Sequence, residues 1–562
     1  MSDEPSTSSP AIPPIPPIPF LPGIPPISPA GGAQSTNSFE KYFVKYLPIT
    51  KSNDLRLYID GKDYCADLYT DLKNAHEFVF LTGLHFMADF RLTRQGNDTS
   101  TTLSKVLAET AKRQVEVFLL VNQFWEDESE ISKIPDSKVE AIKRAYEDLM
   151  SNDRILRRKI MKEGELEGYL PETYRLFSEL EGYGYINCRT DIHPNSDTVP
   201  FFGTHHQKTI VIDDKVAYVG GIDLTYLDGD RWDTPEHKID NRHYARTQKY
   251  WHDIHMRIEG PAVFFVTQNF VERWKNGRLY TLKRKGDLIK PIRDKNPPPL
   301  PYKFFKPAKM YSPGGTVKLD ESTVQVVRSM PTRFNWPNTK PIWNFDQSGE
   351  RWEHSCKDAY LIGIRAASNY IYLENQWIVD RDIWIELRAA ARRNQTKDFR
   401  IVLMLPYTPL SAARLGSNSL SLSRVQEEIE KIIKESNNSS TFGMYSLMKK
   451  HAVGTSGDQI YVHSKILIVD DEWALIGSAN AGGTSLHGAK LASDYPDTEL
   501  SAITLDKKFA SNFRKKLWEE HLGSQVDVQF KASDADQFRK LAAQKPPDRV
   551  RFFPIYQKVL KR

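Results

Sequence analysis

From Leu55 onward, short apolar runs alternate along the chain with stretches whose apolar residues recur at helical spacing. A helical pattern over Tyr64–His76 leads into FVFLTG, and a second over Thr102–Arg113 leads into VEVFLLV, ahead of HHQKTIVIDDKVAYVGGIDL. The same order returns later: Cys356–Ser368 leads into YIYLENQW and Arg381–Arg393 into FRIVLMLPY, ahead of VHSKILIVDDEWALIGSAN. Runs of five to seven residues rich in Val, Ile, Leu and Phe, with amphipathic helices between them, predict strands buried on both faces of a sheet. The fold class is therefore α/β, and the repeated order of parts predicts two similar lobes.

Proline divides what remains. Eleven of the 34 prolines lie in residues 1–38, where they remove backbone donors and fix φ, predicting an extended or disordered tail. That composition fits a flexible terminus and a docking segment equally well. A second cluster, KNPPPLPYKFFKP from Lys295 to Pro307, reads as a linker, giving a first lobe over 39–294, a linker over 295–314 and a second lobe over 315–562. A charged stretch near 125–180 reads as a solvated helical insertion in the first lobe, and the C-terminal DADQFRKLAAQKPPDRVRFFPIYQKVLKR as a helix, a Pro-Pro break and an apolar clamp on the second.

Composition narrows the function classes. In 562 residues, 77 Lys+Arg against 72 Asp+Glu leave a charge of +5, too small to suggest a protein that coats nucleic acid. Three separated cysteines (Cys65, Cys188, Cys356) exclude a disulfide framework and a cysteine-based zinc cluster. No apolar run reaches the length of a membrane span, and the N-terminal segment lacks the features of a secretory signal. These observations predict a cytoplasmic protein, or one exported by a non-classical route.

The chemistry lies in a repeat. His206, Lys208 and Asp213 have the spacing His-x-Lys-x-x-x-x-Asp, and His463, Lys465 and Asp470 repeat it; Gly220-Gly221 and Gly477-Ser478 follow at one offset. Strand alternation sends residues i and i+2 to one face, so each histidine projects beside its lysine. Two such pairs facing each other across a pseudo-twofold lobe interface would place two imidazoles on opposite sides of a pocket walled by two ammonium groups. That suits a phosphodiester: imidazole can attack phosphorus or protonate the departing alkoxide, and lysine can stabilise the non-bridging oxygens without a metal. A single such motif is more often a capped core histidine, whereas two in register point to chemistry. A metal site of His205, His206 and His463 is disfavoured because no carboxylate stands at zinc spacing and the lysines repel an ion. Asp213 and Asp470, though part of the candidate catalytic motif, are expected to bind backbone donors in turns. Gly221 and Ser478 are expected to serve tight turns or to let backbone amides approach phosphate.

With these motifs the sequence resembles the phospholipase D superfamily, from roughly Leu55 to Leu517. GGIDL, GDRWDTPEH, WHDIHMRIEGPAV, QVVRSM and IYLENQW are similar to the larger, eukaryotic-type enzymes. The resemblance implies that His206 attacks phosphorus to give a phosphohistidine, while His463 protonates the headgroup alcohol and then activates water. It further implies phosphate binding by Lys208, Lys465 and Asn480, and orientation of the histidines by Asp253 and Glu499, each raising a histidine pKa. Asp223 occupies the offset of Asn480 and is the weaker phosphate ligand, since a carboxylate repels a diester unless paired.

The expected function is hydrolysis of the distal phosphodiester of glycerophospholipids to phosphatidic acid and free headgroup. A family nuclease, a transphosphatidylase and a non-enzymatic binding protein are the alternatives. The chemistry requires no cofactor, and calcium dependence stays open. No calcium-dependent lipid-binding module is expected before the first lobe, leaving membrane contact to aromatics such as those of NQFWEDE and KFFKPAKMY, for which core packing is the competing reading. Expected partners are a phospholipid membrane surface, a secretion-machine component docking the proline tail and a cognate inhibitor, with no nucleic acid. A compact enzyme of this type with a proline-rich head is similar to bacterial phospholipases D delivered as interbacterial effectors by a type VI machine.

Overall fold

A computed structural model describes residues 41–96, 98–123, 169–193, 203–227, 229–238, 250–285, 288–301, 322–331, 352–395, 398–407, 418–436, 440–449, 459–487, 496–544 and 549–561. The proline tail, the part of the predicted insertion before residue 169, the linker beyond residue 301 and the aromatics of NQFWEDE and KFFKPAKMY lie outside the described residues.

In the first lobe run β1 (Asp54–Ile59), β2 (Phe78–Gly83), β3 (Glu116–Gln123), β4 (Ile186–Ile192), β5 (Thr209–Ile212) and β6 (Val216–Gly220), then β7 (Tyr250–His252), β8 (Ile254–Glu259), β9 (Leu279–Lys285) and β10 (Leu288–Arg293). The second holds β11 (Thr323–Pro331), β12 (Trp352–His354), β13 (Tyr370–Glu374), β14 (Arg400–Met404), β15 (Phe442–Leu447) and β16 (Ile460–Val462), then β17 (Ile466–Val469), β18 (Trp473–Gly477), β19 (Glu499–Leu505) and β20 (Val550–Phe552). One sheet has the order β1-β8-β6-β5-β2-β3-β4-β9-β10 and the other β12-β11-β19-β18-β17-β13-β14-β15-β20. Strand for strand, β1 to β9 of the first sheet match β11 to β20 of the second, and β10 and β12 are edge additions of one lobe each. Strands β2, β3 and β4 are parallel, as are β13, β14 and β15.

The apolar runs explain this arrangement. Every residue of β2, β13, β14 and β15 is buried, as a strand covered on both faces must be. Helix Val263–Asn276 packs on β2, β5 and β6, and its counterpart Lys507–Leu522 packs on β17 and β18. Predicted FVFLTG and helix Arg381–Arg393 coincide with the observed elements, the helix being capped by Asp380, whose carboxylate accepts the Asp382 and Ile383 amides. The first helix instead starts at Gly61 and ends at Lys73. Only glycine fits that start, since a Cβ there would lie 1.9 Å from the Arg231 carbonyl oxygen.

Two expectations are corrected. Helix Tyr169–Leu180, assigned by sequence to a solvated insertion, buries Leu176, Phe177 and Leu180 and stands where Leu422–Glu435 stands in the second lobe. It is part of the repeat. Residues 41–50, assigned to the first lobe, bond to the second: Thr50 pairs with Val324, and the Trp473 indole donates to the Tyr42 carbonyl at 2.8 Å. At the other terminus, helices Ala532–Ala543 and Pro554–Leu560 flank β20, which extends the second sheet as the apolar clamp predicts.

The lobes share one core. Val219, Met256 and Ile258 belong to the same buried cluster as Ile476, Leu500 and Ala502, with β6 and β8 packed on β18 and β19. Among the described residues, the backbone pairings that cross between the lobes include β7 with β16 and His205 with Thr498. Among the described residues no helix is long and apolar enough to cross a membrane, and all three cysteines are free.

Candidate active site

Both His-x-Lys segments lead directly into an inner strand, β5 or β17. Between His206 and Lys208, Gln207 turns the other way and bonds to Asn269; between His463 and Lys465, the Ser464 hydroxyl bonds to Glu374 at 2.6 Å. The predicted alternation therefore holds in each copy. Each lysine ammonium donates to the carbonyl of its own histidine, Lys208 to His206 at 2.8 Å and Lys465 to His463.

The lobe-crossing pairings place a carboxylate behind each imidazole, and the pairs are crossed. His206 donates its backbone amide to Thr498, bringing its Nδ1 to 3.0 and 3.1 Å from the carboxylate oxygens of Glu499 in β19. His463 donates its backbone amide to His252, bringing its Nδ1 to 2.7 Å from Asp253, which precedes β8. Each histidine thus takes its orienting group from the opposite lobe, which leaves Nε2 as the ring nitrogen for substrate. Glu499 is further fixed by the hydroxyls of Ser478 and Ser485, the latter at 2.6 Å.

The lysines differ. Lys208 lies 3.1 Å from Asp223, and the burial that raises this carboxyl is outweighed by the Lys208 charge, with His85, Arg231 and His206 adding to it, so Asp223 sits below the usual carboxylate range. At the same offset the second lobe has Asn480, whose buried side-chain oxygen has no hydrogen bond among the described residues. Burial, with the Lys208 charge adding to it, brings Lys465 down to about 7 against the pull of Asp253, Glu499 and Asp223.

The predicted rise in histidine pKa is overturned for His463. Burial and the neighbouring Lys465 ammonium outweigh Asp253 and bring His463 down to about 3, a neutral ring at pH 7. Asp253 behaves as an anion: burial raises it, but His463, Lys465 and the Ile254 amide hold it well below the usual range.

The other predicted residues lie behind this centre. Asp213 accepts the amides of His76, Glu77 and Phe78, and Asp470 those of Ser368, Asn369 and Tyr370, so both are turn staples apart from the reacting groups. The amides of Gly221 and Ser478 are taken by the carbonyls of Ile254 and Leu500, a correction to the idea that they approach phosphate. A Cβ at Gly221 would lie 2.1 Å from Asp253 Oδ1, so what glycine provides is room for the carboxylate behind His463. His205 contacts Asp191 at 3.1 Å and Thr498 at 2.9 Å. Among the described residues, no cluster of three metal-binding side chains includes His206 or His463.

Three contributors had no role assigned from sequence. The Arg231 guanidinium stacks on Trp251 at 3.7 Å and its charge acts on both His463 and Asp223, while the Trp251 ring lies 5.0 Å from that of His463. Ser485 is the third. GDRW and WHDIH are visible as words in the sequence, but the stacking of one on the other is not.

The Phospholipase D family model matches residues 187–458 and 419–545 of this chain. The chain belongs to the phospholipase D family. Among curated relatives of this family, phospholipase D alpha 1 of Oryza sativa subsp. japonica is 25% identical over 84% of this chain and 65% of its own length. Phospholipase D A of Dictyostelium discoideum is 25% identical over 85% of this chain and 36% of its own, and phospholipase D delta of Arabidopsis thaliana 24% identical over 88% and 69%. The chain thus spans about two thirds or less of the first two relatives. Phosphatidylserine synthase of Haemophilus influenzae Rd KW20 superposes with a TM-score of 0.49 and 11% identity over 90% of this chain and 96% of that one, too distant to add to the assignment.

Proposed function

We propose that this chain is a phospholipase D that hydrolyses the distal phosphodiester of glycerophospholipids to phosphatidic acid and the free headgroup. The observation that supports it is the pair of imidazoles, each held through Nδ1 by a carboxylate of the opposite lobe, with Lys208 and Lys465 beside them. His206 Nε2 attacks phosphorus and the bond to the headgroup oxygen breaks, with His463 giving that oxygen its proton. Water then attacks the phosphohistidine, its proton passing to His463, and phosphatidic acid leaves. A neutral His463 acquires its proton as the diester anion enters and offsets the Lys465 charge. Asn480 and the two lysines bind the non-bridging oxygens.

Mixed-lipid vesicles incubated with the protein and with His206→Ala test this reading. Histidine-dependent release of headgroup is expected; its absence for every lipid, or digestion of nucleic acid instead, would sink it. Products formed with an added alcohol separate transfer from hydrolysis. The opposite division of roles exchanges the two histidines. Mass mapping of acid-quenched enzyme decides it by which histidine peptide carries the phosphoryl group.

The finer reading, an antibacterial type VI effector with a cognate inhibitor, rests on the resemblance of a compact enzyme with a proline-rich head to bacterial phospholipases D. Directing the chain to the periplasm of a bacterial host tests it: growth arrest dependent on His206 is expected, and unaffected growth counts against it.

A further inference from the structure

Joined to the Asp253 backbone through Asp60 lies a buried group that the phosphodiester chemistry does not use. Asp60 follows β1, His237 lies in GDRWDTPEH, His252 ends β7, and Glu520 comes from helix Lys507–Leu522 of the second lobe. One ligand atom from each of the four lies within 4.8 Å of all the others. His252 Nδ1 is 3.2 Å from Asp60 Oδ1 and 3.5 Å from Glu520 Oε1, while His237 Nε2 is 3.3 Å from Glu520 Oε1 and 3.8 Å from Asp60 Oδ2. An ion holding four ligands tetrahedrally at about 2.0–2.1 Å sets them about 3.3 Å apart, close to the two His252 edges and the His237–Glu520 edge; the His237–Asp60 edge is longer and runs to the other Asp60 oxygen.

Two independent features point to a cation. Asp60 Oδ2 and Glu520 Oε2 are buried and, among the described residues, make no hydrogen bond, which is costly for carboxylate oxygens unless something fills the space between them. Each imidazole is also held from behind by a carboxylate: His237 Nδ1 is 3.3 Å from Asp233, and His252 Nε2 is 3.0 Å from Glu374. That arrangement fixes the tautomer whose free nitrogen faces the cluster, as metal-binding histidines require. Arg549 also approaches Glu520 Oε1, the oxygen that faces both histidines, at 3.1 Å.

We infer that Asp60, His237, His252 and Glu520 form a structural site for a divalent transition metal, with zinc the best match to two nitrogen and two oxygen donors. Two carboxylates neutralise the ion, and both histidines bind it through the unprotonated ring nitrogen. Calcium, which prefers oxygen ligands only, is excluded by the imidazoles. The ion ties the lobes together and steadies the catalytic carboxylate. Asp60 exchanges backbone and side-chain hydrogen bonds with Asp253 at 2.8 and 3.1 Å, and the His252 carbonyl accepts the His463 amide at 2.8 Å.

The test is metal analysis of the full chain, purified without a polyhistidine tag from zinc-supplemented cells. About one zinc per chain is expected, and its removal by a chelator lowers Tm by about 5 °C, restored by zinc sulfate and not by calcium chloride. His237→Gln and Glu520→Gln are expected to lose the ion while keeping the native near-ultraviolet spectrum. A wild-type chain that carries no zinc or manganese and binds neither on titration overturns the site, as does full metal retention by either folded variant. Because the wild-type titration stands alone, a variant that fails to fold does not protect the inference.

Discussion

The two half-sites share a plan and differ in detail. In both, a strand-entry histidine points Nδ1 at a carboxylate of the other lobe and the lysine two residues on returns to the histidine carbonyl. The first half-site then places Gly221 and Asp223 where the second places Ser478 and Asn480. Asp223 pairs with Lys208, whereas Asn480 offers Lys465 no charge, and Lys465 falls to about 7. Duplication kept what positions the imidazoles and changed what neutralises the ammoniums. Lys208 has a carboxylate at 3.1 Å, and under the proposed function a bound phosphodiester gives Lys465 an anion of its own.

Breaking either imidazole should have the largest effect. His206→Ala and His463→Ala are each expected to lower kcat by ~10⁴-fold or more, with only the first abolishing phosphoryl-enzyme in acid-quench experiments. A trapped phosphoryl group in His206→Ala would reverse the roles of the half-sites.

Removing the crossed carboxylates comes next. Glu499→Gln and Asp253→Asn keep the shape but not the charge behind each ring, and a loss of ~10²–10⁴-fold in kcat is expected from each. Glu499→Gln should slow formation of the intermediate and Asp253→Asn its hydrolysis as well, measured by single-turnover release of headgroup and of phosphatidic acid. Identical effects on both steps would mean that the crossed pairs do not act on separate histidines.

These crossed pairs mark the boundary of what the sequence makes legible. Buried strands and the facing of His and Lys follow from local patterns, apolar runs and i, i+2 alternation, and β2, helix Arg381–Arg393 and the two motifs were readable for that reason. Asp253 and Glu499 could be nominated by resemblance, but their partners lie 210 and 293 residues away, and only the folded lobe interface assigns them. Burial was equally hidden. Asp253 alone argues for a raised His463 pKa, yet the lost hydration of a ring enclosed by Trp251 and Lys465 reverses the sign. Helix Tyr169–Leu180 was misread for a related reason: its flanking charges mask an apolar face that packs in the lobe.

The lysine asymmetry predicts a pH dependence. Lys465, at about 7 in the folded protein against its ordinary 10.5, loses its ammonium as pH rises through neutrality. Above that point kcat/KM is expected to fall ~10-fold per pH unit. Asn480→Asp copies the first half-site into the second, so it should raise Lys465 and carry the alkaline limb upward by at least a unit, even as weaker phosphate binding lowers the plateau. A limb that stays in place would show that another group sets it.

The smallest effects should come from Gly221 and Ser478, which occupy one offset and do opposite things. A methyl at Gly221 meets Asp253 Oδ1 at 2.1 Å, so Gly221→Ala must displace the carboxylate that holds His463 or shift β6 away from it. Overpacking of this kind costs roughly 1–3 kcal/mol. Ser478→Ala adds no bulk and removes a hydroxyl that donates to Glu499 and accepts the Leu500 amide. Loss of a buried hydrogen bond costs about 1 kcal/mol, and Glu499 keeps its bond from Ser485. Urea midpoints should therefore rank wild type above Ser478→Ala above Gly221→Ala, with the glycine variant also losing activity through His463. If Ser478→Ala proves the more damaging, orientation of Glu499 depends on one hydroxyl, and the half-sites differ in how tightly each imidazole is held as well as in charge.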